Sequence, residues 1–314
     1  MKPAFIFPGQ GSQRVGMGLE LAQEYPVAHE IFAQADRILG LSLSSLAWYG
    51  PDAELNDTIN TQPALFTHAI AALKVLKTHF PDLTPVAVAG HSMGEISAIA
   101  ASGALNFEDG LRLARTRGVL MKMAGEISPG GMAAIIGLEI PVLEQICAEV
   151  VSGTEILQVA NDNCPGQVVI SGSLSALDKV IPILQQAGAR RTIKLAVSIA
   201  AHSPLMSTAQ LGFNHAVDET FMVDPIIPII GNVTAKPLST IQDIRMDLQD
   251  QLTHRVRWTE SVLELKSIGA THYIEIGTGS VLGGLVKRID PSATTLSMGT
   301  PQDLVELTSI LNHH

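Results

Sequence analysis

The chain has 314 residues, with 20 Lys+Arg against 30 Asp+Glu, and its formal net charge of −10 argues against a general nucleic-acid binder, which needs a basic face. Hydrophobic residues at 46% and charged residues at 16% allow a large buried core and exclude a disordered chain, while 4% aromatics are too few for a platform that stacks single-stranded bases. Two cysteines, Cys147 and Cys164, exclude a disulfide framework, no Cys/His spacing fits a zinc site, and no apolar run nears the roughly 18 residues of a membrane span.

In chain order, short apolar runs alternate with helical patterns, which predicts an α/β fold with a mostly parallel sheet. Ala4 to Phe7 reads as a strand that ends in Pro8-Gly9-Gln10-Gly11-Ser12-Gln13. With no apolar stretch for a signal peptide there, the expected compartment is a reducing cytoplasm. Leu19 to Leu39 and Pro63 to His79 read as helices, Pro85 to Ala89 as a strand, and Gly94 to Ser102 and Glu108 to Met123 as helices. From 127 to 197 the pattern becomes βαββαβ: strands at Gly131 to Leu138, Ile156 to Ala160, Gln167 to Ser171 and Thr192 to Val197, helices at Pro141 to Val151 and Ala176 to Ala187. The expected architecture is a hydrolase-like parallel-sheet body, residues 1–126 and 198–314, with an inserted ferredoxin-like subdomain at 127–197. The body resumes with a helix from Pro204, a strand near Ile226 to Gly231, and helices at Ile241 to Leu252 and Thr259 to Ile268. A strand at His272 to Ile276 then leads into a helix from Val281.

Gly90-His91-Ser92-Met93-Gly94 is a G-x-S-x-G run between a predicted strand and a predicted helix. Such a turn exposes a serine hydroxyl beside the positive end of a helix, and the Met93 amide points at the oxygen of an attacked carbonyl. Serine needs a base to become a nucleophile. Of ten histidines, His91 is the neighbour of Ser92 and points elsewhere, while His29, His68, His79 and His215 lie in helical patterns. His313 and His314 are tail residues. His202 is the preferred base, at the point where the inserted segment rejoins the body, and His272 is its rival. The loop after the first strand reaches the same sheet edge as Ser92, so its glycines can bring backbone close to a substrate. It lacks the lysine of a phosphate loop and the spacing of a dinucleotide fingerprint.

Arg117 lies on the apolar stripe formed by Leu113, Ala114, Leu120 and Met121, whereas Arg112 and Arg115 fall off that face and are expected in solvent. A buried arginine keeps its charge and needs an anion, either an internal acid or a substrate carboxylate.

These features together resemble the malonyl-CoA:acyl carrier protein transacylase family and its acyltransferase relatives in polyketide synthases, from about residue 4 to residue 289. The matching motifs are Phe7 to Gln13, Thr61-Gln62-Pro63-Ala64, Gly90 to Glu95, Arg117-Gly118, Pro165 to Gly172, His202, Gln251-Leu252 and Glu275-Ile276-Gly277. The resemblance implies Ser92 as nucleophile, His202 as base, the Gln10 and Met93 amides as oxyanion hole, and Arg117 as ligand of the malonyl carboxylate. It also implies that the Gln251 backbone carbonyl orients the histidine, and that no metal or bound cofactor takes part. Malonyl-CoA is then the substrate and acyl carrier protein the acceptor. The chain departs from the family's usual residues at Met93, Asp162, Ala201, Thr278, Ser280 and His254-Arg255-Val256-Arg257; the small Ala201 leaves a substituted malonyl extender open.

The expected chemistry is ping-pong transfer through a malonyl ester on Ser92, in fatty-acid or polyketide synthesis. Carrier proteins are acidic, so docking on a net-negative enzyme calls for a local basic patch, with Arg190, Arg191, Lys287 and Arg288 as candidates. Two alternatives stand beside this. One is a serine esterase or thioesterase using Ser92, His272 and an acid near Asp243 or Asp247, in the chain order of hydrolases. The other is a non-catalytic scaffold that binds carrier protein.

Overall fold

A computed structural model describes residues 2–196 and 199–311. Its elements run β1 (Pro3–Phe7), α1 (Leu19–Glu24), α2 (Pro26–Leu39), α3 (Leu43–Tyr49), α4 (Asp52–Leu55), α5 (Thr58–His79), β2 (Ala87–Gly90), α6 (Gly94–Ala101) and α7 (Phe107–Ile127). There follow β3 (Gly130–Ile136), α8 (Ile140–Val150), β4 (Leu157–Cys164), β5 (Gln167–Ser173), α9 (Leu174–Gln186) and β6 (Arg191–Lys194). A 3₁₀ turn at Pro204–Met206 opens the remainder: α10 (Ser207–Glu219), β7 (Ile229–Ile230), β8 (Pro237–Leu238), α11 (Ile241–Gln251), α12 (Trp258–Ser267), β9 (His272–Ile276), α13 (Val281–Ile289), β10 (Thr294–Met298) and α14 (Pro301–Leu311).

The fold is α/β. Six strands form one sheet in the order β10-β9-β1-β2-β7-β8, parallel except for β8 at its edge. Its central strands are apolar and fully buried, as a sheet covered by helices on both faces requires. The four strands β4-β5-β3-β6 form a second, antiparallel sheet covered by α8 and α9, with its own core of Ile135, Leu143, Val159, Ile170, Val180 and Leu184. The expected boundary between 197 and 198, the end of the strand predicted to Val197, and His313 and His314 lie outside the described residues.

Three readings of the sequence change. Leu19 to Leu39 is two helices, because Tyr25 is extended (φ −118°) ahead of Pro26, as a residue before proline prefers. The α5 helix begins at Thr58, capped by Asp57, five residues before the predicted start at Pro63. Pro63 cannot donate to the carbonyl of Ile59; Arg115 does so instead, from Nη1 at 2.8 Å. Arg115 is therefore half-buried with a structural task rather than solvated. Arg112, by contrast, forms an exposed pair with Glu108. Helices α3, α4 and α14 and strands β8 and β10 were not anticipated. No helix among the described residues is long and apolar enough to cross a membrane.

Candidate active site

Strand β2 turns into α6 so tightly that a Cβ on Gly90 would lie 2.0 Å from the carbonyl carbon of Gly94, and one on Gly94 would lie 2.1 Å from the Phe7 oxygen. Only glycine fits at either place. Ser92 sits at the apex with φ 52°, a left-handed conformation that a side chain rarely adopts. Its strain is held by Asn232, whose Oδ1 accepts from the Ser92 amide at 2.7 Å and whose Nδ2 donates to the Gly90 carbonyl at 2.7 Å.

Ser92 Oγ is 2.8 Å from His202 Nε2. The other ring nitrogen, Nδ1, lies 2.9 Å from the Gln251 carbonyl and 3.2 Å from that of His254. Carbonyl oxygens only accept, so Nδ1 carries the proton and Nε2 is the free acceptor toward the serine hydroxyl. Gln158 Nε2, reaching across from β4, donates to the His202 carbonyl at 2.7 Å and to that of Thr253 at 3.1 Å. His202 is 2% exposed. Burial, and then the neighbouring Arg117 charge, hold its imidazole down at about 3, so it is neutral near pH 7.

Arg117 is 1% exposed and still a cation, burial lowering it only to about 10. Nη1 donates to Gln62 Oε1 at 2.9 Å, and Nη2 donates to Gln251 Oε1 at 2.8 Å and to Ser92 Oγ at 3.1 Å. All three acceptors are neutral. Nε has no partner among the described residues, and no carboxylate forms an ion pair with the guanidinium there. A buried cation with only neutral hydrogen-bond partners, touching the serine hydroxyl, has the chemistry to pair with an anion that enters the site.

The turns that carry Gln10 and Met93 leave the adjacent parallel strands β1 and β2, which are in register at Phe7 and Gly90. They touch: a Cβ on Gly9 would lie 2.4 Å from the His91 carbonyl oxygen. Among the described residues neither the Gln10 amide nor the Met93 amide has a hydrogen-bond partner. Gln10 is tied to the arginine side of the site, since Thr58 Oγ1 donates to Gln10 Oε1 at 2.8 Å and accepts from Gln62 Nε2 at 2.9 Å.

Ser92, His202, Arg117 and Gln251 are thus brought together. His91 is not part of the group; its Nε2 meets Asn163 Oδ1 at 2.9 Å and its ring packs edge-on to Trp258. The hydrolase arrangement is not assembled. His272 opens β9 in register with Pro3 and Thr294, at the amino edge of the sheet, whereas Ser92 follows the carboxyl end of β2. Asp243 caps α11, and the Asp247 carboxylate accepts from the amides of Asn232, Val233 and Thr234.

Sequence reasoning gave Gln62 no role beyond its place in a matching motif, and missed Asn232, Gln158 and the side chain of Gln251. Only Gln62 left a signal, a polar residue in the second turn of a helix that is buried on nearly every face. The partners of the other three are 44 to 159 residues distant, too far for any local pattern.

Residues 4–293 match the model of a family described as an acyl transferase domain. The malonyl CoA-acyl carrier protein transacylase of Bacillus subtilis (strain 168) is 41% identical over 303 residues, covering 96% of this chain and 95% of its own. The crystal structure of the malonyl-CoA:acyl carrier protein transacylase of Xanthomonas oryzae pv. oryzae superposes with a TM-score of 0.94 at 40% identity, covering 99% of each chain. A malonyl-transacylase solved in complex with a type II polyketide acyl carrier protein superposes with a TM-score of 0.93 at 37% identity, over 97% of this chain and 98% of that one.

Proposed function

This chain belongs to the acyl transferase family of the malonyl-CoA:acyl carrier protein transacylases, and from that premise we propose a route for its reaction through Ser92. The protein is an acyltransferase that moves a malonyl group from malonyl-CoA to acyl carrier protein. In the proposed route His202 takes the hydroxyl proton of Ser92 on Nε2 as Oγ attacks the thioester carbonyl. The oxyanion is received by the Gln10 and Met93 amides. Collapse breaks the C–S bond, the proton on His202 passes to the leaving thiolate, and CoA departs as its thiol. The malonyl ester on Ser92 keeps its carboxylate on Arg117. The phosphopantetheine thiol of the carrier then runs the same steps in reverse.

The observation that carries this reading is the 2.8 Å contact of Ser92 with a neutral His202, beside an Arg117 whose hydrogen-bond partners among the described residues are all neutral. The histidine is oriented by the Gln251 carbonyl where hydrolases place an acid, so the pair acts as a dyad. No cofactor enters these steps. Intact-mass measurement after brief exposure to malonyl-CoA tests the route. A malonyl adduct that holo carrier protein removes supports it. Release of free malonate favours the hydrolase, and no adduct favours the scaffold.

Supporting the carrier protein as partner, two exposed basic pairs distant in sequence meet around one turn. The Arg190 amide donates to the Ile136 carbonyl and that of Gly137 to Gly166, while Arg288 Nη2 donates to Pro165 at 3.1 Å. The turn at Pro165 therefore has Arg288 bonded to it and Arg190 next to the strand end that it meets, a basic surface suited to an acidic helix, with Arg191 and Lys287 as their chain neighbours. The proposed setting is fatty-acid or polyketide synthesis in a reducing cytoplasm, supported by two buried free thiols, Cys147 and Cys164. The separate sheet and core of β3 to β6 likewise support residues 127–197 as a unit inserted into a body of 1–126 and 198–314.

A further inference from the structure

Glu95 follows the nucleophile by three residues and is 0% exposed. Its Oε1 accepts from the Asn232 amide at 2.9 Å, and Oε2 accepts from Gln251 Nε2. The same Asn232 amide donates to Asp247 Oδ2 at 3.0 Å, so two buried carboxyl groups converge on one N–H. Two carboxylates this close in a dry interior do not both ionise. Asp247 has the richer donor set, with the amides of Asn232, Val233 and Thr234 and the Thr234 hydroxyl; Glu95 has two donors. The proton therefore belongs on Glu95.

Both residues that hold Glu95 also hold the reacting groups. Asn232 clamps the Ser92 turn. Gln251 donates to the Ser92 carbonyl at 3.1 Å, accepts from Arg117 on Oε1, and orients His202 with its own carbonyl. One amide group separates Glu95 from the Arg117 guanidinium. An ionised Glu95 would be the counterion that Arg117 lacks.

We propose that Glu95 and Asp247 share one proton, and that Glu95, kept as the neutral acid, is a positioning residue that leaves the Arg117 charge free for the substrate carboxylate. This rests on the reading of Arg117 as the carboxylate receptor. The charged and titratable groups around Glu95 are Asp247 on α11, Arg117 on α7 and, beyond Ser92, the neutral His202; on α5 the neutral Gln62 meets Arg117. Burial, and then the Asp247 charge, push the Glu95 carboxyl well above the usual range, in agreement with the geometry.

The test is carbon-13 NMR of the whole enzyme labelled in its glutamate carboxyl groups at neutral pH. A protonated carboxyl signal is expected that survives in Glu275→Gln, the variant that removes the other buried glutamate. Its absence overturns the proposal, whatever substitutions at 95 do. In Glu95→Gln, which mimics the neutral acid, the ratio of kcat/KM for malonyl-CoA to that for acetyl-CoA should stay within about threefold of wild type, under roughly 1 kcal/mol. A larger change in either direction means that Glu95 was charged, and it overturns the proposal. Arg117→Ala separates the two readings. Equal losses on both thioesters with the signal intact sink the receptor role alone; a missing signal beside an intact receptor sinks the shared proton alone.

Discussion

Ser92 and His202, 110 residues apart, meet at 2.8 Å while both hold left-handed backbone, with φ 52° and 59°. Such conformations cost on the order of 1–3 kcal/mol each and persist only where surrounding bonds over-determine them. Asn232 and Gln251 hold the serine; Gln158 and two backbone carbonyls hold the histidine.

Ser92→Ala should abolish acyl-enzyme formation and leave the fold intact, because Asn232 and Gln251 grip the backbone of residue 92 and not its hydroxyl. Mass spectrometry after exposure to malonyl-CoA checks this. Malonate found covalently on the variant overturns the nucleophile assignment.

Arg117→Ala should collapse or invert the preference for malonyl-CoA over acetyl-CoA. Losing a charge-assisted contact in a dry site costs about 2–5 kcal/mol. At about 1.4 kcal/mol per decade, that is roughly 30- to several-thousand-fold in kcat/KM for malonyl-CoA. Acetyl transfer should hold or rise, because the nearby positive charge that depresses His202 is gone. Rates on both thioesters, with a melting curve alongside, decide the matter.

Asn232→Ala should lower kcat/KM for both thioesters alike, by about 10- to 100-fold, because it misplaces the nucleophile without touching the carboxylate receptor. It also strands the Ser92 amide and the Gly90 carbonyl, at about 1–3 kcal/mol. A selective loss on malonyl-CoA alone would contradict the clamp role.

Acid stability should depend on buried neutral histidines. His68, bonded to Thr278 Oγ1 and the Gly299 carbonyl, is held at about 4 by burial, against an ordinary 6.5; His202 is held at about 3. Unfolding lets each bind a proton below pH 6.5, so the stability they contribute is present above that pH and is lost as pH falls toward the folded values. Between about pH 7.5 and 5.5 each such histidine costs roughly 1.4 kcal/mol. Thermal denaturation at both pH values should show His68→Gln losing less stability on acidification than wild type. Equal losses would mean that His68 is not neutral in the folded protein.

Periodicity and a few short motifs carry much of this molecule. Alternating apolar runs predicted the parallel sheet, the switch to βαββαβ located the second sheet, and G-x-S-x-G between a strand and a helix located the elbow. These are local properties: a turn that admits only glycine at 90 and 94, or an arginine on an apolar helix face, leaves its mark within a few residues. The tertiary structure alone decided what compensates what. Nothing local says that Asn232 supports the serine amide, that Gln158 from the four-stranded sheet fixes His202, or that Arg115 replaces the bond lost at Pro63. The same holds for Glu95, which reads in sequence as one more acid in the first turn of a helix. Only the approach of Asp247 from 152 residues away, on a shared amide and in a dry interior, determines which of the two is charged.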